Sequence, residues 1–305
     1  GSWSHTWQGN DEAAYPQELP TVLNAFQSAH GKDKVSYVPA VSSSGRLDYD
    51  RVVRAAQYAD VIVCVLAEQV GTEIPGNLDD LALPEPQRRL VEELSFGKPI
   101  VLVVLGNRPR LITEVNGLAG AVLFAGYPGP FGGQALHDLL TGTENPSGKL
   151  PFTYPKFPHN ILPYDHKLSD TVDAEGGTSG FQPLYEFGHG LSYTTFEYAN
   201  LNVPPVPLTL ADTVSLSVEL TNTGSRRGAE TVHVFVRDLY ASVVPPVKRL
   251  RAFKKVTLDP GASETVTFEI PVRDLAFFGP RSIPIVEPGE FTVMIGDQKA
   301  SITVE

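Results

Sequence analysis

The sequence predicts an α/β doubly wound sandwich domain followed by an all-β sandwich of the immunoglobulin or fibronectin III-like kind. Two observations predict it. In the first half, short apolar runs alternate with helical patterns: Val61-Ile62-Val63-Cys64-Val65-Leu66, Ile100-Val101-Leu102-Val103-Val104-Leu105 and Ala121-Val122-Leu123-Phe124-Ala125. Continuous apolar strands separated by helices belong to a parallel sheet covered on both faces. After about Tyr193 the pattern changes to strict alternation, as in Val214-Ser215-Leu216-Ser217-Val218-Glu219-Leu220 and Thr231-Val232-His233-Val234-Phe235-Val236. About seven short alternating strands over ~100 residues, broken by turn residues, describe a sandwich. We therefore expect a first domain over residues 1–160, a connector over 161–193 and a β-sandwich over 194–305.

The elements follow in order. Residues 20–29 predict a helix and Val35-Ser36-Tyr37-Val38 a strand. Residues 48–59 predict a second helix with Val52, Val53, Ala55 and Ala56 on one side. Residues 84–96 predict a third, in which Pro84 and Pro86 are acceptable only in the first turn. Residues 132–140 predict another, closed by Gly142. In the second half, Thr265-Val266-Thr267-Phe268-Glu269-Ile270, Phe291-Thr292-Val293-Met294-Ile295 and residues 300–304 also alternate. Asn222-Thr223-Gly224, Asp259-Pro260-Gly261 and Glu287-Pro288-Gly289 mark turns between strands. Residues 161–185 have weak periodicity and several Gly, Ser and Asp, as a connector does.

The chain has 305 residues, 42% of them hydrophobic, enough for real cores. Its 24 basic and 35 acidic residues leave a net charge of -11. That balance disfavours nucleic acid and anionic membrane as partners, because phosphate neutralisation needs clustered Lys and Arg. No apolar run approaches the ~20 residues that span a bilayer. The sequence opens on Gly1-Ser2-Trp3 without a signal-peptide pattern and has one methionine, Met294, so a processed or partial chain is expected. The single Cys64 lies in an apolar strand and reads as a buried, inert thiol.

The segment Gly71-Thr72-Glu73-Ile74-Pro75-Gly76-Asn77-Leu78-Asp79-Asp80 stands between the first apolar strand and the third helix. Ligands and chemistry in a parallel sheet gather at the carboxyl ends of strands. A loop of glycines, a proline and acids centred on Glu73 is thus the candidate site. Asn77, Asp79 and Asp80 suit local side-chain to backbone bonds. Glu68, at the strand end, reads as structural, bonding a loop backbone, and Arg108, after the next strand, reads as structural on the same sheet edge as Glu73, placed to pair with an acid there. Gly132-Gly133 at a helix start lacks the Lys-Ser/Thr of a phosphate loop. His5, His137, His166 and His189 show no metal-ligand spacing. No metal and no cofactor are expected.

Several segments together carry a resemblance. They are Trp3-Ser4-His5-Thr6-Trp7-Gln8-Gly9, Thr72-Glu73-Ile74-Pro75-Gly76-Asn77-Leu78, Gly106-Asn107-Arg108-Pro109, Pro128-Gly129-Pro130-Phe131-Gly132-Gly133 and Asn145-Pro146-Ser147-Gly148-Lys149-Leu150-Pro151. Phe187-Gly188-His189-Gly190-Leu191-Ser192-Tyr193, Val247-Lys248-Arg249-Leu250-Arg251-Ala252-Phe253 and Glu287-Pro288-Gly289-Glu290-Phe291 complete the series. In this order they resemble the C-terminal portion of glycoside hydrolase family 3, the exo-acting β-glucosidases and glucan exohydrolases.

The resemblance implies a retaining mechanism, in which two carboxyl groups stand about 5–5.5 Å apart. Glu73 matches the general acid/base. The aspartate nucleophile of the family lies in an N-terminal (β/α)8 barrel with no counterpart here, so no residue of this chain takes that role and the chain alone is expected to be inactive. Trp7, and with it Trp3, matches an aromatic surface on which sugar faces stack. The implied partners are a β-glucoside or oligosaccharide substrate and the barrel of the same enzyme. A homodimer is compatible with the resemblance, and the implied location is periplasmic or secreted. A non-catalytic carbohydrate-binding or scaffolding fragment is the alternative reading. The acid loop, for which such a module has no need, separates the two.

Overall fold

The computed structural model describes residues 3–40, 48–160, 163–167 and 180–305. The chain divides into two compact units. One comprises Gly1–Glu144 with Pro155–His159, the other Asn145–Tyr154 with Asn160–Glu305.

The first unit is built on a parallel sheet of β1 (Ile62–Ala67), β2 (Ile100–Leu105) and β3 (Ala121–Gly126), in that spatial order. The central strand β2 is the apolar keystone: Ile100, Leu102, Val103 and Val104 are all buried, so both of its faces are covered. The edge strand β1 departs from the expectation of cover on both faces. Cys64 and Leu66 are buried, whereas Val63 and Val65 on the alternate face are exposed. β1 lies at the edge of the sheet, and one of its faces is left open. Residues 35–38 form no strand ladder. Four alternating residues carry too few hydrogen bonds to hold an edge without a specific partner.

Among the described residues, five α-helices accompany the sheet. The first, α1 (Val22–His30), starts with a capping box in which Thr21 and Asn24 bond each other's backbone. Next, α2 (Tyr49–Ala56) is capped by Asp48, which accepts from the Arg51 N–H at 3.1 Å. In α3 (Glu85–Leu94), which follows Pro84, the residues Leu90, Val91 and Leu94 are buried. A single turn forms α4 (Thr113–Asn116), and α5 (Gly132–Thr141) ends at Gly142 with φ 77°. The helices pack in two groups, α1 with α5, and α2 with α3 with α4. Gly133 makes the first group possible, since a Cβ there would lie 2.1 Å from the Pro20 carbonyl oxygen.

The second unit is an antiparallel sandwich. One sheet holds β4 (Phe196–Asn202), β5 (Thr213–Asn222) and β8 (Ser263–Pro271). The other holds β6 (Gly228–Asp238), β7 (Arg249–Leu258), β11 (Gly289–Ile295) and β12 (Gln298–Val304), in the order β12-β11-β6-β7. A two-residue pair, β9 (Phe277–Phe278) with β10 (Pro284–Ile285), stands beside them. Alternation decides which face turns inward. On β5, Val214, Leu216, Val218 and Leu220 enter the core, where they meet Val232, Val234 and Val236 of β6 and Phe291, Val293 and Ile295 of β11.

A polar residue closes this core at the end of β5. Asn222 is fully buried. Its amide donates to the carbonyls of Arg226 at 2.8 Å and Leu258 at 3.0 Å. Its carbonyl oxygen accepts from Thr194 Oγ1 at 2.6 Å and from the Gly224 N–H at 3.1 Å. All four bonds that the side chain can make are made. Asn222→Ala leaves those partners unsatisfied in a dry site, so urea unfolding should show a loss of roughly 2–3 kcal/mol.

His233, on β6, is half-buried beside the rings of Phe187 and Phe235. Burial lowers its pKa most; the Lys149 and Lys248 charges add to that, and Glu230 opposes them. The folded value therefore lies below the unfolded one of about 6.5. As pH falls through that range the unfolded chain takes up the proton first, so stability present above it is lost. Urea midpoints should fall between pH 7.5 and pH 5, and fall less in His233→Gln.

Candidate active site

The carboxyl ends of the three parallel strands converge on one buried carboxylate. Glu68 directly follows β1, and its own N–H bonds the Leu105 carbonyl at 3.0 Å. Its side chain is 1% exposed. From the end of β2 it accepts the Asn107 N–H and Arg108 Nε, the latter at 3.2 Å, with Arg110 Nη1 at 3.8 Å. From the end of β3 it accepts the Tyr127 hydroxyl at 3.2 Å. Burial first, and then the Glu68 carboxylate, push the Tyr127 phenol above its ordinary pKa, which keeps it a donor. Gly106 leaves room for the carboxylate, since a Cβ there would lie 3.2 Å from it.

Arg108 carries this arrangement outward. Its Nη1 donates to the Gly76 carbonyl at 2.6 Å. Gly76 in turn forms the neck of the loop with Gly71: a Cβ on Gly76 would sit 2.8 Å from Gly71 backbone atoms. Thr72, Glu73, Ile74 and Pro75 are the tip held above this neck. Glu73 has φ 53° and ψ -142°, a conformation that L residues seldom adopt. Its carbonyl accepts the Gly76 N–H at 2.9 Å, and its side chain is exposed. Asp80 makes the expected local bond, accepting the Ala82 N–H at 2.8 Å, whereas Asn77 and Asp79 are exposed.

The N-terminal segment reaches the same loop. Gln8 faces Thr72 as a backbone strand would: the Thr72 N–H donates to Gln8 Oε1 at 2.8 Å, and Gln8 Nε2 donates to the Thr72 carbonyl at 3.5 Å. Trp7 directly precedes it. The Trp3 and Trp7 rings lie 6.3 Å apart at 52° and are 69% and 53% exposed, so neither is a core residue. The tight turn beneath them is tied by the Tyr15 hydroxyl, 3.1 Å from the Gly9 carbonyl and 3.3 Å from that of Ser4. Trp7 and Glu73 are thus each one residue removed from a single side-chain to backbone pair. Sequence reasoning singled out both but missed Gln8, which joins them, and Tyr127 and Arg110, which complete the Glu68 cluster. The available signal was position: Gln8 abuts Trp7, and the other two follow strand ends.

Other candidates resolve structurally. Cys64 is buried, which pushes its thiol up to about 12 and keeps it protonated. The backbone at Gly133 lies against the start of α1. His137 bonds Asp138 at 2.8 Å and meets His30 Nε2 at 3.2 Å, a pairing across 107 residues that spacing does not reveal. Among the described residues, no group of three or more His, Cys, Asp or Glu is arranged to hold a metal ion, and no helix is long and apolar enough to cross a membrane.

Residues 1–193 match the model of the glycosyl hydrolase family 3 C-terminal domain, and residues 230–299 that of the fibronectin type III-like domain. The chain belongs to glycosyl hydrolase family 3. It is 34% identical to a lysosomal β-glucosidase of Dictyostelium discoideum over 100% of this chain and 39% of that protein. It is 36% identical to a periplasmic β-glucosidase of Salmonella typhimurium over 99% of this chain and 43% of that protein. It thus spans about two fifths of the length of these relatives. Among solved structures, a β-glucosidase from Erythrobacter marinus superposes with a TM-score of 0.83 at 30% identity, covering 100% of this chain and 45% of that one. A β-glucosidase from Listeria innocua in complex with isofagomine gives 0.79 at 30% identity, covering 89% and 40%.

In this family 3 chain, Glu68→Gln removes the negative charge that faces Arg108 and Arg110. Breaking a buried pair costs about 3–5 kcal/mol, and the partial exposure of Arg108 sets the expectation at the lower end, about 3 kcal/mol. Chemical unfolding of the first unit checks it.

Proposed function

We propose that this chain supplies the general acid/base half of a retaining, exo-acting β-glucosidase, with the aspartate nucleophile coming from an N-terminal barrel of the same enzyme. Glu73 is the acid/base in this reading. It protonates the leaving glycosidic oxygen as the nucleophile attacks the anomeric carbon, then takes a proton from the water that hydrolyses the glycosyl-enzyme. Trp7, with Trp3 beside it, offers apolar ring area for sugar faces.

One observation carries the proposal. An exposed carboxylate stands at the carboxyl end of the parallel sheet, on a tip whose backbone is held on both sides, one of its braces being Gln8, which directly follows the exposed Trp7. A surface glutamate without a task has no use for a strained backbone, which costs of order 1–3 kcal/mol and persists only where neighbours over-determine it. A carbohydrate-binding module would use the tryptophans and leave the acid loop without a purpose. The names of the β-glucosidase relatives support the substrate class. A β-xylosidase of Formosa agariphila, 32% identical over 92% of this chain, makes xylosides the second substrate to assay. A periplasmic or secreted location belongs to the same proposal, supported by the Salmonella relative.

The test uses the full-length enzyme that carries this chain. Glu73→Gln should lower kcat on an alkyl β-glucoside about 10²–10⁴-fold, the usual contribution of general acid catalysis. A dinitrophenyl β-glucoside, whose leaving group needs no proton, should form the glycosyl-enzyme nearly as fast as in the wild type. In Glu73→Ala, azide should speed turnover of that substrate and yield a glucosyl azide. Equal losses on both substrates, with no azide product, would exclude the acid/base role.

A further inference from the structure

We propose that Gln8 is a positioning residue for the reaction, setting the depth and direction of the Glu73 carboxyl relative to the aromatic surface at Trp7. This rests on the reading of Glu73 as the acid/base and assigns a task to a residue outside both the carboxylate and the stacking surface.

The argument begins with what holds Glu73. A residue at φ 53° and ψ -142° relaxes to an extended or helical conformation unless its neighbours forbid it. On the C-terminal side, Arg108 bonds the Gly76 carbonyl, and the Gly71–Gly76 contact closes the neck. On the N-terminal side, the side-chain bonds at the adjacent Thr72 come from Gln8, at its N–H and its carbonyl. The primary amide is suited to this, since its oxygen accepts the N–H while its nitrogen donates to the carbonyl. A carboxylate keeps only the accepting half. A thioether of similar length keeps neither.

The second step is what Gln8 is attached to. It follows Trp7 directly, and the segment around it is anchored by Tyr15 at Gly9 and Ser4. The Gln8–Thr72 pair is therefore a cross-brace between the turn that presents Trp7 and the tip that presents Glu73. Each is one Cα step, ~3.8 Å, from its end of the brace. A sugar stacked on the ring is thereby registered against the proton donor. Misplacement of a catalytic group by about 1 Å can cost 10²-fold in rate.

The experiment compares wild type, Gln8→Met and Gln8→Ala in the full-length enzyme, with Glu73→Gln as control. Melting temperatures of the Gln8 variants should stay near wild type, because Gln8 is only partly buried. Their kcat/KM for an alkyl β-glucoside should fall about 10–100-fold, while that for a dinitrophenyl β-glucoside changes less than about threefold. That selectivity is the readout a merely structural role would not move, since partial unfolding lowers both substrates equally. Gln8→Glu should fall between, because it keeps the bond to the Thr72 N–H. If Glu73→Gln shows the selective loss but the Gln8 variants lose nothing, or lose both substrates equally, the positioning role is wrong. If Glu73→Gln itself is not selective, the acid/base reading fails and this inference fails with it.

Discussion

The Glu68 carboxylate is the constraint on which the candidate site depends. Three parallel strands end within reach of it: β1 carries the carboxylate itself, the segment after β2 sends a backbone amide and the Arg108 guanidinium with the Arg110 charge nearby, and the segment after β3 sends a phenol. A buried carboxylate is costly unless its lone pairs are satisfied. Here the satisfaction comes from the ends of different strands, so the relative heights of those ends are fixed together. One of the same donors, Arg108, also holds the loop that bears Glu73. The order at the tip is thus inherited from the order of the sheet edge, with no apolar packing of the tip itself. Ile74 and Leu78 remain exposed.

Much of the fold was legible in the sequence because the burial requirement writes a period. β2 was readable to the residue, since a strand buried on both faces is apolar throughout. α3 was readable from Pro84 and Pro86 in a permitted first turn. Strand β5 was readable from strict alternation. The losses share a cause. β4 and β7 do not alternate cleanly, because Lys254-Lys255 and Asn200 sit on surfaces that water covers, where pattern is unconstrained. The Val35 segment alternates but has no ladder, because pairing is a property of two segments.

The candidate site was proposed from its residue types, and its wiring was illegible in the sequence. Glu73, Trp3 and Trp7 could be marked because their residue types, order and neighbours match a family pattern. That Gln8 faces Thr72 across 64 residues, or that Tyr127 reaches Glu68 across 59, is a consequence of topology. Position at a strand's carboxyl end marked the sheet edge where Glu68 and Arg108 meet, and the hydrogen-bond accounting there needed coordinates.

Both units use the same device at different points. Asn222 ends β5 in the sandwich with four satisfied bonds, and Glu68 ends β1 in the α/β unit with donors from the ends of the other two strands. Each is a polar side chain placed where a strand gives way to a loop, where apolar packing cannot specify direction. A fully satisfied polar group does so because its bonds are directional and their loss in a dry site is expensive. The difference lies in what the loop carries. Beyond Asn222 the chain turns through Gly224 into β6, and the knot serves the sandwich. Beyond Glu68 the chain rises to an exposed acid in a conformation it would leave if released. There the bonds fix the backbone on either side of an exposed carboxyl, as the proposed acid/base role requires.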